Sequence, residues 1–199
     1  SGATEVYDDA SQYGNASVLG EAQLFGSTEV YGNAVVSGFS SVSGSTTISG
    51  NCAIAETARV EGSATVTGSA KLGGSSVISG TVQVSGNAQV LGTAVVRHTV
   101  RIGGNAKIYG NVKLQDSVIV QHDAEIYDNV VITDDTIVQG NSKIHGTAII
   151  GGVGNIIQGN AELKDNCKVY GGSTIQGNSI VGGNAEVLDL VVSGDDILS

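Results

Sequence analysis

Histidine is the residue type in this sequence best suited to acid–base chemistry or zinc binding near neutral pH. The chain has three, His98, His122 and His145. Counted in steps of six, they fall on three different faces of the repeat described below, and His98 and His122 occupy a position that glycine usually holds. Zinc requires ligands that converge, and a general base must reach its proton. The sequence therefore predicts no catalytic residue, no metal site and no cofactor.

The two cysteines, Cys52 and Cys167, could form a disulfide or serve as nucleophiles. Both occupy the same small inward position of the repeat. If three repeats make one coil, they lie about six coils, or roughly 30 Å, apart. A disulfide joins Cα atoms that are less than about 7 Å apart. We therefore interpret both cysteines as small core residues.

A six-residue period runs through the chain, and we call each unit a hexad. Among the 25 multiples of six from Val6 to Ile150, 24 positions hold Val, Ile or Leu, and Gln12 is the exception. A small residue usually stands two places earlier, and Gly followed by a polar residue stands after, as in Gly-Asn-Ala-Gln-Val-Leu over residues 86–91. Side chains that alternate between inward and outward positions indicate a short strand, and Gly-Asn is typical of a corner. The hexad predicts a prism in which each strand pairs in parallel with the strand one turn later.

This unit resembles the hexapeptide-repeat family of left-handed parallel β-helix proteins, over about residues 3–192. Runs of Gly-Asn-Ala-x-Val-x-Gly look most like bacterial and phage repeat proteins of unassigned role. The resemblance implies an all-β fold, a single-chain left-handed β-solenoid of about ten triangular coils, each made of three hexads. The better-known members of this family are acyltransferases. In those enzymes a catalytic His lies near a cleft between the subunits of a trimer.

The repeat predicts one domain spanning residues 1–199. Its core is expected at about 3–192, with a one-residue bulge near 151–155, where the aliphatic series passes from Ile150 to Ile157, and a polar end at 193–199. The sequence contains no Met, even at position 1, which indicates a processed chain or a fragment. We interpret Ser1-Gly2 as the remnant of a tag.

The formal net charge of −10 argues against an electrostatic grip on nucleic acid. No apolar run approaches the length of a membrane span, so no membrane partner is expected. The charge is unevenly distributed: residues 1–58 hold six acids and no base, whereas residues 59–113 hold six bases and one acid. Two interpretations stay open, a solvated surface and a basic girdle that takes an acidic partner.

Positions three hexads apart should stack in columns on one face of the prism. Two neighbouring columns form the Ile/Gln strip, which consists of Ile119, Gln121, Ile137, Gln139, Ile156, Gln158, Thr174 and Gln176. Outward Ile residues flanked by uncharged Gln predict an interface, because regular exposed apolar strips often mark one. The alternative is that Ile simply favours strands and that the Gln amides bond to one another along the sheet.

A third set, Tyr109, Tyr127 and His145, stacks on another face beside Lys107 and Glu125. One interpretation is a ligand-binding strip on which a sugar could stack. The other is a ladder that stabilises the surface through alternating charges and rings.

These features favour a non-enzymatic, rigid, self-associating rod or fibre segment that presents flat faces to a partner. The alternative is an acyltransferase-like protein acting at an intersubunit cleft of a trimer. A second alternative is a glycan-binding adhesin or phage-fibre segment. A homo-oligomer or filament is expected in the first case, and the partner is a protein or a glycan.

Overall fold

The computed structural model describes residues 5–199. Ser1-Gly2 and residues 3–4 of the expected repeat core lie outside this range. Every regular element in the described range is a short β-strand. Most strands are short because only the aliphatic residue and its outward neighbour remain extended between corners.

The described strands are, in chain order, β1 (Glu5–Val6), β2 (Ser11–Gln12), β3 (Ser17–Val18), β4 (Gln23–Leu24), β5 (Glu29–Val30), β6 (Val35–Val36), β7 (Ser41–Val42), β8 (Thr47–Ile48), β9 (Ala53–Ile54), β10 (Arg59–Gly62), β11 (Thr65–Val66), β12 (Lys71–Leu72), β13 (Val77–Gly80), β14 (Gln83–Val84), β15 (Gln89–Val90), β16 (Val95–His98), β17 (Arg101–Ile102), β18 (Lys107–Ile108), β19 (Lys113–Leu114), β20 (Ile119–Val120), β21 (Glu125–Ile126), β22 (Val131–Ile132), β23 (Ile137–Val138), β24 (Lys143–Ile144), β25 (Ile149–Ile150), β26 (Ile156–Ile157), β27 (Glu162–Leu163), β28 (Lys168–Tyr170), β29 (Thr174–Ile175), β30 (Ile180–Val181), β31 (Glu186–Leu188), β32 (Val191–Val192) and β33 (Ile197–Leu198).

These strands form three sheets of 11 strands each. Sheet 1 takes every third strand from β1 to β31, sheet 2 from β2 to β32, and sheet 3 from β3 to β33. Each strand pairs in parallel with the strand three places later, as β11 does with β14. One strand from each sheet makes a coil, so the described chain is an all-β parallel β-helix of 11 coils. About ten were expected, and the difference lies at the C-terminal end.

The core is a single column of aliphatic side chains inside the prism. The residue at the centre of each face is fully buried in all but the terminal coils, as are Leu24, Ile78 and Ile150. The small position beside it mostly holds Ala, Val or a hydroxyl residue, and most of these hydroxyl groups bond locally. Thr46 Oγ1, for example, donates to the Ser43 carbonyl at 2.8 Å. Gln12, the exception to the aliphatic series, lies in the first coil, where it is exposed.

The corners explain why Gly recurs. Gly86 has a φ of +70°, and a Cβ atom there would lie 2.6 Å from the carbonyl oxygen of Gly104 in the next coil. Where another residue takes such a corner, it is usually Asp, which tolerates this conformation. Asp134 (φ 59°) also accepts a hydrogen bond of 2.7 Å from the Gly152 amide of the next coil. The side chain therefore joins two coils.

The register of pairing changes twice. Most partners are three hexads apart, but Ile156 lies one residue beyond that spacing from its partner Ile137, because one extra residue is inserted after Ile150. Further on, Val191 lies one residue short of that spacing from its partner Thr174, because the corner after β31 is one residue shorter. Strand pairing therefore continues to β33, past residue 192, where a polar end was expected. Gly194 and Asp195 form the turn before that strand, and Asp196 follows the turn.

In residues 5–199 there is no helix of the length and apolar character needed to cross a membrane.

Candidate binding face

The Ile/Gln strip lies on sheet 2, where the pairing brings its members side by side. Ile119 pairs with Ile137, Ile137 with Ile156, and Ile156 with Thr174. All four side chains are half-buried by their neighbours on the sheet. The Ile column is therefore continuous over three coils, and its outer surface faces solvent.

The glutamines beside it form a continuous ladder of side-chain hydrogen bonds. Gln121 Nε2 donates to Gln139 Oε1 at 2.7 Å, and Gln139 Nε2 donates to Gln158 Oε1 at 2.8 Å. Gln158 Nε2 continues the ladder to Gln176 Oε1 at 2.9 Å. Each amide is held in place by its neighbours, so the surface is rigid before any partner arrives. The amide ladder of the alternative interpretation is therefore present, and the interface role of the strip stays a prediction.

Sheet 2 is poor in charge along its whole length. Within the described residues, Glu29 and Arg101 are the only charged side chains at its outward positions. The outward positions of sheet 1 hold Glu5, Arg59, Glu61, Arg97, Lys113, Lys168 and Glu186, and those of sheet 3 hold Lys71, Lys107, Glu125, Lys143, Glu162 and Lys164. Depletion of charge is a property of interface cores. Sheet 2 is therefore the best candidate for a binding face.

The middle of sheet 2 has a notch. Gly103 carries no side chain between Ser85 on one side and Gln121 on the other, and the neighbouring Arg101 stands beside the gap. The resulting shallow groove has a volume of about 230 Å³. Arg101 is exposed, and none of the salt bridges between described residues involves it. The notch at Gly103 and the Arg101 side chain outside any salt bridge distinguish this part of sheet 2 from the rest of the face.

The aromatic strip on sheet 3 is stacked on itself. The rings of Tyr109 and Tyr127 are parallel with centroids 5.0 Å apart, and His145 lies 4.8 Å from Tyr127. The next coil closes the stack through His145 Nε2, which lies 3.0 Å from Glu162 Oε1. Because the inner ring faces cover one another, a sugar would find mainly ring edges and hydroxyl groups. Burial raises the pKa of both tyrosines, which keeps them neutral.

The beginning of this strip carries a charge ladder. Lys107 Nζ contacts Glu125 Oε1 at 2.7 Å, and this hydrogen bond raises the pKa of Lys107. Exposed pairs of this kind contribute little to stability, because solvent screens their charges. The expected ligand role of Tyr109, Tyr127 and His145 stays a prediction, and binding to a glycan array would test it.

The three histidines lie apart, as the hexad count predicted. His98 and His122 occupy corners with φ of 67° and 63°, whereas His145 is on sheet 3. His98 Nδ1 lies 2.9 Å from Asp116 Oδ1 in the next coil. Across the described part of the chain, no three His, Cys, Asp or Glu side chains come together in a way that could hold a metal ion.

Both cysteines are buried free thiols in the core. Burial raises the pKa of Cys52, and it raises the pKa of Cys167 to about 11. A neutral, buried thiol is a poor nucleophile. Their position in the core agrees with the interpretation from the sequence.

One polar ladder was missed by reasoning from the sequence. The corner between sheets 2 and 3 stacks asparagines, so that Asn15 donates to Asn33 at 3.1 Å and Asn33 donates to Asn51 at 2.9 Å. Further along, Asn141 and Asn160 repeat the arrangement at 3.0 Å. The signal was available, because sorting the residue after each corner Gly in steps of three hexads places these asparagines in one column.

Comparison with known proteins yields solved structures only: no family model matches the chain, and no curated protein does. UDP-N-acetylglucosamine acyltransferase from Campylobacter jejuni is similar, with 18% identity, 96% of this chain and 71% of that chain covered and a TM-score of 0.35. The enzyme of the same name from Arabidopsis shows 13% identity, coverage of 91% and 70%, and a TM-score of 0.46. LpxA from Acinetobacter baumannii shows 13% identity, coverage of 94% and 67%, and a TM-score of 0.41. At these values we base no functional argument on the likeness.

Proposed function

We propose that this protein is a non-enzymatic, rigid rod that associates with other copies of itself through sheet 2. The observation that carries the proposal is the lack of charge along that face, where only Glu29 and Arg101 interrupt the uncharged outward residues in the described range. A flat face of this composition loses little hydration when it is covered. Sheets 1 and 3 carry several times as many charged side chains, so covering either of them would remove more hydration.

Rigidity supports the same proposal. The Gln121–Gln176 ladder already fixes its side chains, so ordering them on association costs little additional entropy. The Ile119, Ile137 and Ile156 side chains supply the apolar area between the ladder and the corner. Such a surface suits a partner that is equally flat, and a second copy of the same face meets that requirement.

The first test is the mass of the protein in solution. Light scattering over a range of concentrations should show assemblies larger than one chain, and Ile137→Lys should lower the average mass because it places a charge in the apolar column. Lys143→Ile on sheet 3, which exchanges the same two residue types on another face, is the control and should leave the mass no lower. A monomer at every concentration, unaltered by Ile137→Lys, would contradict the proposal.

A transferase acting at an intersubunit cleft is the second candidate, and one observation favours it. The His98 imidazole is held against the Asp116 carboxylate, the arrangement in which an acid orients a general base. Arg97 precedes this pair in sequence and could neutralise an anionic acyl carrier. The residues of a neighbouring subunit would have to complete the site.

This second candidate is tested with acetyl-CoA. Titration calorimetry should detect binding, and hydrolysis of the thioester should fall at least about tenfold in His98→Gln, while His122→Gln, which alters another corner, should leave it unchanged. Failure to bind acetyl-CoA, or equal rates in both variants, would count against a transferase that uses this pair.

A further inference from the structure

The two charges on sheet 2 are related by position. Glu29 starts β5 in the second coil, and Arg101 starts β17 in the sixth, so both stand in the same column, four strand spacings or about 19 Å apart. None of the salt bridges between described residues involves Glu29, and residues 1–58 contain no Lys or Arg. The Glu29 carboxylate accepts a hydrogen bond of 3.4 Å from the Tyr13 hydroxyl. An acid and a base are therefore both left open on an otherwise uncharged face.

We propose that two copies pair face to face through sheet 2, antiparallel, about a twofold axis that passes along β11 at Thr65. Rotation about an axis parallel to the strands keeps each column opposite itself and reverses the order of coils. With the axis in the fourth coil, the second coil of one rod meets the sixth of the other. Glu29 then lies opposite the Arg101 of a second copy, and the same pair forms again on the other side of the axis.

The same register also matches the shape of the face. Tyr31 lies two residues after Glu29 and Gly103 lies two residues after Arg101, so the rotation places the Tyr31 ring over the Gly103 notch. The tallest side chain of the second coil thus meets the gap in the sixth. Charge and shape are independent properties of the two coils, and one register satisfies both.

The centre of the overlap is flat and made of small polar residues. Thr65 and Thr67 of β11 would face their own copies across the axis, while Thr47 would face Gln83. None of these side chains is charged, so no charge is buried without a partner. Hydroxyl and amide groups can bond directly or through water across such a plane.

Other registers satisfy the charges less well. A twofold axis centred on the Ile/Gln strip would place Arg101 opposite Val191, which offers no acid on the face. A side-by-side parallel pair would bring the two Arg101 side chains near each other without a counter-charge. At the rim of the proposed pair, Asp9 approaches the corner that carries Asp116, a solvated like-charge contact that salt would screen.

The overlap spans seven coils, about 34 Å by about 13 Å. Roughly 450 Å² from each partner is near the lower limit for a specific interface, so the dimer should be weak and dependent on concentration. Ile137 and Ile156 lie outside the overlap and remain open for a further contact between pairs on the same sheet, and that further contact is the one that Ile137→Lys tests. The proposal rests on the proposed function only in using sheet 2 as the contact face.

Sedimentation equilibrium of the full chain at low salt tests the register. Glu29→Arg and Arg101→Glu each turn two attractive pairs into two repulsive ones, so each should weaken dimerisation at least about tenfold. The double variant Glu29→Arg/Arg101→Glu restores both pairs and should dimerise within about threefold of wild type. Each variant is first checked for an unchanged melting temperature, and a Glu61→Arg variant on sheet 1 is the control with the same charge change.

A second measurement tests the shape. Gly103 does not have a positive φ, and an added Cβ would meet only the Ser85 hydroxyl at 3.3 Å, so Gly103→Phe is compatible with the fold. It should weaken the dimer, and adding Tyr31→Ala should recover part of the loss. Small-angle scattering should show a pair about 72 Å long, against about 53 Å for one rod or a fully overlapped pair.

The outcomes separate the two proposals. If wild type associates but the charge variants, including the double variant, behave alike, the register is wrong, whereas the use of sheet 2 is still judged by Ile137→Lys. If the double variant fails to recover while the single variants dissociate, the pairing of Glu29 with Arg101 is overturned. A wild-type chain that stays monomeric at all concentrations overturns both proposals.

Discussion

Individual residues in this protein are chosen largely by the backbone of the corner. A left-handed corner accepts Gly first and Asp readily, and an Asp there gains a hydrogen bond to the next coil, as Asp165 does with the Gly183 amide at 3.0 Å. Acids therefore concentrate at corners. The Lys and Arg residues instead flank the buried aliphatic residues, where a long side chain can lie along the sheet.

The buried thiol of Cys167 makes stability depend on pH in alkaline solution. Its pKa is raised from 9.0 to about 11 by burial. Below about pH 9 the thiol is neutral in both states, but between about pH 9 and 11 it ionises in the unfolded chain and not in the folded one. The unfolded state then holds fewer protons, so stability falls as the pH rises. Urea unfolding midpoints measured across this range should decrease.

The variant Cys167→Ala isolates this effect. It removes the thiol and leaves a small cavity whose cost does not change with pH, so its midpoints should fall less steeply than those of wild type. Tyrosines also titrate in this range, but equally in both proteins. Parallel curves for wild type and Cys167→Ala would show that the thiol does not contribute.

At the scale of the coil, much of the site could be predicted because the spacing of three hexads is regular. The Ile119 and Gln121 columns follow from the sequence alone, and their pairing is as predicted. The shortened corner after β31 could not be seen in the same way. Leu188 and Leu190 flank Asp189 in this corner. Both leucines are exposed, so the aliphatic pattern does not mark inward positions there.

The longer corner, by contrast, is stabilised by one buried side chain. Asn155 Nδ2 donates to the Gly151 carbonyl at 2.8 Å and to the Gly152 carbonyl at 3.0 Å, while its Oδ1 accepts from the Ser173 amide at 3.2 Å. Because Asn155 is fully buried, Asn155→Ala leaves these groups without partners. We expect a loss of about 2–4 kcal/mol in the free energy of unfolding, measured by urea denaturation.

An exposed asparagine provides the matched control. Asn160 also makes two side-chain bonds, accepting from Asn141 at 3.0 Å and donating to Asn178 at 2.9 Å, but water can replace both. Asn160→Ala should cost less than about 1 kcal/mol. If the two variants lose similar amounts, the corner does not depend on its buried asparagine.

For the molecule as a whole, the period predicted the architecture because each coil is built from the same local choices. Contacts between coils are nearest-neighbour contacts, so stability is roughly a sum over coils. The hand of the coil does not follow from the period, since either hand would use three hexads per turn. The relation between Glu29 and Arg101 was not predicted from the sequence, because their shared column on sheet 2 is seen only when the whole column is compared.

The two register changes have a consequence for rod length. One corner gains a residue and a later corner loses one, so Val192 and Leu198 return to multiples of six. Alignment of the faces therefore survives any edit that restores the count, and inserting or deleting three hexads in phase would alter the rod by one strand spacing of about 4.8 Å. The length of the rod can therefore change in units of one coil while every surface column stays aligned.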